Sequence, residues 1–288
     1  MSTYKETSMA AIFQNQVEKL GDMPCVAYRK DGVYTDISWK QMDEMIRKLG
    51  AYLISLGIKK GDNIAIFSQN RYEWWVADQA ILSIGAVNVP IYATNSAEEA
   101  FYVLDHSESK LCFVASEDHL DRVMKVNKKL PKMKNIVIFD DLPKKKTGVI
   151  TLEEAFKKGA AYKDQKAFDK RLKAIKPGDL ATIIYTSGTT GNPKGVMLSH
   201  NNFVSNVDQS LEDFKDLLGP EDVFLSFLPL SHSLERTSGY YMAVQVGAKV
   251  CFAVDTTTIQ ADLVDVRPTC IISVPRIYEK VHAGIVAK

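Results

Sequence analysis

The sequence predicts an α/β protein built from largely parallel sheets flanked by helices. Three observations carry this. Short apolar runs rich in β-branched residues alternate with stretches of helical spacing along nearly the whole chain. Successive strands are separated by helix-length connections, as parallel pairing requires. A Gly/Ser/Thr-rich loop directly follows one apolar run, at the strand end where such sheets bind ligands.

The elements follow in order. Ser38-Trp39-Lys40-Gln41 reads as a capping box, in which the serine oxygen takes a free helix N–H and the glutamine reaches back. Met42, Met45, Ile46, Leu49, Leu53 and Leu56 then repeat at helical spacing until Gly57 supplies a left-handed stop. Asn63–Phe67 is a short buried strand, Tyr72–Ile84 a helix and Ala86–Ile91 a strand. Ser96-Ala97-Glu98-Glu99 opens another helix, Leu111–Val114 and Asn135–Phe139 are strands, and Thr151-Leu152-Glu153-Glu154 caps a further helix. Leu180–Tyr185 is the strand before the polar loop. Beyond it come a helix over Asn201–Leu218, a strand over Val223–Leu228, a helix over Glu235–Val246 and a strand over Lys249–Val254. A helix near Ile259–Asp265, a strand over Thr269–Val274 and a helix opened by Pro275 complete the series. The lysine-rich stretch 157–178 is the weakest in apolar pattern and marks an internal boundary between two α/β halves.

Composition narrows the class. The chain has 288 residues, 46% hydrophobic and 25% charged, which excludes wholesale disorder, collagen and disulfide scaffolds. A chain of this length can bury about 75% of its unfolded surface and needs no staples. Cys25, Cys112, Cys251 and Cys270 form no C-x-x-C pair, and three lie in strand-like runs, so buried thiols in a reducing cytoplasm are expected. Residues 1–20 lack a secretory pattern, and the longest near-apolar stretch, Ala80–Tyr92, is shorter than the roughly 20 residues a membrane span needs.

Net charge is +1, so nothing draws the whole molecule to nucleic acid. The charge is uneven, however. Lys125–Lys176 holds 16 basic against 6 acidic residues, a net of +10, and the remainder carries −9. Such a run is ordinarily a solvated lysine-rich surface. The functional alternative is a basic face toward anionic lipid, phosphate or an acidic domain.

The most informative segment runs from Ile184 to Val196. Between Thr186 and Gly195 it holds four hydroxyl side chains (Thr186, Ser187, Thr189, Thr190), three glycines (Gly188, Gly191, Gly195) and Lys194. Glycines let backbone N–H groups approach an anion, hydroxyls donate further bonds, and the lysine adds charge. It differs from the G-x-x-x-x-G-K-[ST] loop. Pro193 precedes the lysine, Gly195 follows it, and no hydroxyl comes next to hold magnesium. The bland reading, a flexible polar linker, fits poorly beside a buried strand.

The segment Tyr185-Thr-Ser-Gly-Thr-Thr-Gly-Asn-Pro-Lys-Gly195 resembles the signature of the adenylate-forming superfamily, which includes acyl-CoA synthetases, peptide-synthetase adenylation domains and luciferases. Ser226-Phe-Leu-Pro-Leu-Ser-His-Ser-Leu-Glu-Arg236 resembles that superfamily's second core motif in its long-chain fatty acyl-CoA synthetase form. Ser273–Lys280, Asn70–Trp74 and Val89–Tyr92 with Asn95 are similar to the same branch. The resemblance implies two stacked subdomains of an incomplete adenylate-forming large domain over 1–288, divided near 157–178.

It also implies a two-step reaction in which a fatty acid and ATP give acyl-AMP and pyrophosphate, and coenzyme A then takes the acyl group. The chemical difficulty is to bring two anions together, which calls for Mg2+, cationic groups and alignment. By motif position Thr186, Ser187, Gly188, Thr189, Thr190, Gly191 and Lys194 would cradle the triphosphate, with Thr189 contacting Mg2+. His232 would sit beside the acyl-adenylate and hydrogen-bond a carboxylate oxygen, or else be a polar turn residue.

Weaker candidates have ordinary readings. His200 helps begin a helix, Trp74 and Trp75 fill the core, and Arg236 and Arg276 are structural or border an acyl tunnel. Tyr240, Tyr241 and Met242 either border that tunnel or pack in the core. Several motifs of the family would follow Lys288, including a magnesium-site glutamate and a C-terminal lid domain with an assisting lysine. Residues 1–288 alone are therefore expected to lack meaningful ligase activity. Two alternatives stand beside the fatty-acid reading: adenylation of an aryl or amino acid, and a non-catalytic nucleotide-binding fragment. A cytoplasmic location, with room for peripheral membrane contact through the +10 segment, completes the expectation.

Overall fold

Capping and turn chemistry set many of the boundaries in the computed structural model, which describes residues 7–186, 191–214, 217–255 and 257–286. Helix α1 (Met9–Leu20) starts where Ser8 Oγ accepts from the Ala11 N–H, and it buries Met9, Ile12, Phe13 and Gln16 at helical spacing. Strands β1 (Pro24–Lys30) and β2 (Val33–Ser38) form a hairpin. Its two turn residues, Asp31 and Gly32, have φ of +49° and +83°, the left-handed pair that a tight hairpin turn needs. Helix α2 (Trp39–Ser55) carries the expected capping box.

Strand β3 (Asn63–Phe67) leads to α3 (Tyr72–Ser83), β4 (Val87–Ile91), α4 (Ala97–His106), β5 (Leu111–Val114) and α5 (Glu117–Val126). Next come β6 (Asn135–Ile138), β7 (Val149–Thr151), α6 (Leu152–Ala160) and α7 (Lys166–Lys173). The capping boxes at Ser96–Glu99 and Thr151–Glu154 are both closed. Strands β8 (Leu180–Thr186) and β9 (Lys194–Ser199) precede α8 (His200–Phe214) and β10 (Val223–Ser226). A π-helical turn, Glu235–Tyr241, runs into α9 (Met242–Val246), and β11 (Lys249–Phe252), α10 (Ile259–Val266), β12 (Cys270–Ile271) and α11 (Pro275–Val286) follow.

Two sheets form. The order β7-β6-β5-β3-β4-β8-β9 is parallel except for β9, and β12-β10-β11-β1-β2 is parallel except for β2. The two sheets interleave along the chain. The N-terminal hairpin joins the later strands, while β8 and β9 join the earlier ones, so both sheets draw strands from each side of 157–178. Alternation on β3 shows the layering. Ile64 and Ile66 face the central helices, and Ala65 and Phe67 face α4 and α5. The central layer is shared with the second sheet, whose outer face (Ala27, Leu225, Cys251) is covered by Ile259 and Leu263 of α10. Helix α3 lies in that middle layer with every residue from Glu73 to Ser83 buried, as expected for a helix enclosed on all sides.

Several boundaries differ from the sequence reading, β11 among them, which ends at Phe252 rather than Val254. Strand β10 ends at Ser226 rather than Leu228, because the chain turns there through Pro229 toward His232. The last strand shrinks to Cys270–Ile271, paired on one side only, by β10. The helix after His232 opens in π geometry, where Gly239 makes room for a carboxylate: a Cβ there would lie 2.5 Å from Glu235 Oε1. Cys25, Cys112 and Cys251 are buried, and burial pushes all three thiols up, Cys251 to about 11. Among the described residues no helix is long and apolar enough to cross a membrane.

Candidate functional site

The polar loop closes an antiparallel hairpin rather than opening a helix. Its last paired residues are Thr186 on β8 and Lys194 on β9, and Tyr185 opposes Gly195 one step further down. Gly195 suits the packing, since a Cβ would fall 2.7 Å from Ile183 Cγ2 and that side chain would have to shift. Gly191 has φ of +131°, a conformation that a side chain would strain. Ser187, Gly188, Thr189 and Thr190 lie outside the described residues. Of the expected cradle, Thr186, Gly191 and Lys194 are therefore placed, and all three are exposed.

Helix α4 fixes both stems of the loop. Tyr102 donates from its hydroxyl to the Pro193 carbonyl oxygen at 3.0 Å, and His106 Nδ1 hydrogen-bonds the Tyr185 hydroxyl at 2.8 Å. The Tyr102 ring stacks on His106 and meets Tyr185 edge-on. Burial, with the neighbouring Tyr102, pushes the Tyr185 hydroxyl up to about 12, so it remains protonated. Sequence reasoning missed Tyr102 and His106. Their spacing of four on a helix whose start was readable was the available signal.

A cleft of about 590 Å³ opens at the carboxyl ends of β4 and β8. Tyr92 and Asn95 line it beyond β4, and Thr186 and Asn192 line it from the hairpin. His232 lines it from the second sheet, while Glu98 and Glu99 form part of its rim on α4. Lys194 and Gly191 adjoin this lining without belonging to it: Lys194 pairs with Thr186, and Gly191 precedes Asn192. The segment 93–95 is held from outside by Arg122, which donates to the carbonyls of Ala93 and Asn95.

His232 occupies the turn after β10. Its backbone N–H donates to the Pro229 carbonyl at 2.9 Å, and its own carbonyl accepts from the Arg236 N–H at 3.1 Å. The Leu234 N–H donates to His232 Nδ1 at 3.2 Å. With Nδ1 accepting, the neutral ring carries its proton on Nε2, which can donate to an acidic oxygen in the cleft. His232 is exposed and shares the cleft with Thr186, although the two come from different sheets.

The weaker candidates separate from the cleft. His200 is fully buried at the start of α8 with no partner on either ring nitrogen, and burial lowers it to about 4. Trp74 and Trp75 are core residues, and Trp75 stacks on Tyr240 at 3.9 Å. Tyr240, Tyr241 and Met242 are buried in the same core. Arg236 is fully buried against Asp78, whereas Arg276 is exposed on α11. Among the described residues no three His, Cys, Asp or Glu side chains come together as a metal site.

A family model described as AMP-binding enzyme matches residues 13–287. The long-chain-fatty-acid–CoA ligase FadD15 of Mycobacterium bovis is 36% identical over 278 residues, 95% of this chain and 44% of that protein. The long-chain-fatty-acid–CoA ligase ACSBG2 of Xenopus laevis is 32% identical over 94% of this chain and 37% of its own length. The chain thus spans less than half the length of these relatives. Among solved structures, a long-chain-fatty-acid-CoA ligase, FadD1, from Archaeoglobus fulgidus superposes with a TM-score of 0.82 at 21% identity. That match covers 99% of this chain and 55% of the other, and it speaks to the fold.

Proposed function

The chain belongs to the AMP-binding enzyme family, and from that premise we propose that it is the N-terminal ATP-binding part of an AMP-forming long-chain fatty acid–CoA ligase. The observation that carries the reading is the eleven-residue segment 185–195 at the end of β8, adjoining a cleft that His232 enters from the other sheet. In the proposed reaction a fatty acid carboxylate oxygen attacks the α-phosphorus of ATP. The bond to pyrophosphate breaks, and acyl-AMP forms. The coenzyme A thiolate then attacks the acyl carbon and AMP leaves.

The residues fit the two needs of the first step. Thr186, the backbone around Gly191 and the Lys194 amine are of the chemistry a polyphosphate takes, and Ser187, Gly188, Thr189 and Thr190 complete the cradle by motif position. Mg2+ enters with ATP as part of the substrate, with Thr189 as its proposed contact. The His232 Nε2–H donates to a carboxylate oxygen, which orients the nucleophile and offsets its repulsion from phosphate. The greater length of the relatives supports a C-terminal lid domain as the partner that closes over the cleft.

Exchange of pyrophosphate into ATP by the full natural protein tests the reading. Long-chain fatty acids should support exchange, and Lys194→Ala and His232→Ala should each lower it by at least tenfold. Exchange with aryl or amino acids alone would move the assignment to that class. Nucleotide binding without exchange for any acid would make this a non-catalytic module.

A location in the cytoplasm with peripheral contact to anionic membrane is the accompanying proposal. It is supported by the net +10 of residues 125–176 and by α7, where Lys166, Lys170 and Lys173 are exposed along one face. Binding to vesicles containing an anionic phospholipid should weaken as salt rises; absent or salt-independent binding would remove the idea.

A further inference from the structure

The geometry points to Asn70 as the positioning residue for His232. Asn70 follows β3 in the seven-stranded sheet, yet its side-chain hydrogen bonds reach the end of β10 and the turn after it in the other sheet. Its Nδ2 donates to the Leu228 carbonyl at 2.6 Å and to Ser226 Oγ at 3.0 Å, and its Oδ1 accepts from the Leu230 N–H at 2.9 Å. Ser226 Oγ passes the connection on, donating to Glu235 Oε1 at 2.6 Å. One carboxamide thus grips three positions before His232, and the serine it touches grips the first residue of the π-helical turn after it. The neighbouring Arg71 anchors the base of this arm by pairing with Glu73 and Asp140.

The carboxamide supplies the two N–H donors that Ser226 Oγ and the Leu228 carbonyl accept and the oxygen that the Leu230 N–H needs. An aspartate keeps the acceptor for Leu230 and loses both donors, and an alanine loses all three bonds. The turn in question is also what lets the Leu234 N–H meet His232 Nδ1 and so fixes the ring tautomer. Asn70 therefore acts through His232, holding the imidazole in the form that donates from Nε2 toward the cleft. The consequence for catalysis rests on the role proposed above for His232; the consequence for the ring does not.

The test is long-range 1H–15N NMR of the histidine rings in residues 1–288, without ATP or fatty acid. In the unsubstituted chain His232 should show one protonated and one unprotonated ring nitrogen, with Nδ1 unprotonated. In Asn70→Ala the two nitrogen shifts should converge as both tautomers become populated, with Asn70→Asp between. Ser226→Ala breaks the next link and should move the shifts in the same direction, which keeps the test open if Asn70→Ala folds poorly. Asn63→Ala is the control for a general loss of stability, since it removes the bond from Asn63 Nδ2 to the Ser107 carbonyl at the far end of β3. It should leave the His232 shifts unchanged. Unaltered His232 shifts in Asn70→Ala and Ser226→Ala, or an equal change in Asn63→Ala, would overturn the inference. Because no substrate is present, failure here and failure of pyrophosphate exchange are separate results.

Discussion

Arg236 holds its guanidinium 2.5 Å from the Asp78 carboxylate, and neither side chain has any exposure to solvent. The pair sits where the middle layer meets the seven-stranded sheet. Arg236 Nη1 also donates to Thr182 Oγ1 on β8, and Asp78 accepts from Asn88 of β4 and from the Tyr241 hydroxyl. Burial works against the charge on Arg236, but Asp78 and the two tyrosines more than restore it, so its pKa rises. Arg236 thereby joins the π-helical turn that follows His232 to the strand that carries the polar loop by the hydrogen bond to Thr182, and to α3 by the ion pair with Asp78.

Removing one member leaves the other charge buried and unpaired, so Arg236→Met should cost about 3–5 kcal/mol in denaturant unfolding. The double variant Arg236→Met, Asp78→Leu should recover part of that loss, because it strands no charge. A single variant within ~1 kcal/mol of the unsubstituted chain would show that water reaches the site and that the pair is not the tie described.

Gly159 makes a second, purely steric prediction. A Cβ at this position of α6 would lie 1.7 Å from the Lys48 carbonyl oxygen on α2, a backbone atom that cannot swing away. The corresponding clash at Gly50 is 2.5 Å from Phe168 Cε2, a ring that can shift. Gly159→Ala should therefore cost more than Gly50→Ala, with the former at or above the ~1–3 kcal/mol typical of overpacking. Urea midpoints of the two variants decide it, and equal losses would mean that the two helices separate freely.

The parts legible in the sequence were those fixed by neighbours in the chain. The boxes at Ser38, Ser96 and Thr151 were readable because donor and acceptor lie three residues apart. The β1–β2 hairpin was missed although Asp31-Gly32 announces it. The interleaving of the sheets was not readable at all, since β1 pairs with β11 across more than 200 residues and no local pattern encodes that choice. Likewise the motif resemblance singled out His232, but not Tyr102, His106 or the grip of Asn70, which depend on contacts between distant elements.

His200 gives an acid-side prediction. Its folded value is about 4 against 6.5 when unfolded, set first by burial and opposed by Asp179, with Arg236 and Lys60 adding to the lowering. Between these values the unfolded chain binds the extra proton. The His200 contribution is therefore full above about pH 6.5 and is lost as pH drops toward 4, by on the order of 3 kcal/mol. Neither ring nitrogen has a partner, so His200→Leu should cost little at pH 8 and should remove this contribution, so that the variant gains on the unsubstituted chain as pH falls from 6.5 toward 4. Urea midpoints from pH 4 to 8 check it; an unchanged slope in His200→Leu would place the acid sensitivity elsewhere.

Glu235 predicts the opposite slope. Burial raises its carboxyl from 4.5 to about 8, with the Ser226 hydroxyl pulling the other way. Between those values the folded protein holds a proton that the unfolded chain has released. The stabilisation present below about pH 4.5 is thus lost progressively as pH rises to 8, by on the order of a few kcal/mol. Glu235→Gln keeps an acceptor for Ser226 and cannot ionise. It should match the unsubstituted chain near pH 5 and exceed it in urea midpoint at pH 8 and above. From about pH 4.5 to 6.5 the Glu235 and His200 slopes offset each other, so the unsubstituted chain should show a nearly level profile there. Each single variant should tilt that profile, His200→Leu so that stability falls with pH and Glu235→Gln so that it rises. A level profile that neither variant tilts would mean that water or a structural change relieves both buried groups.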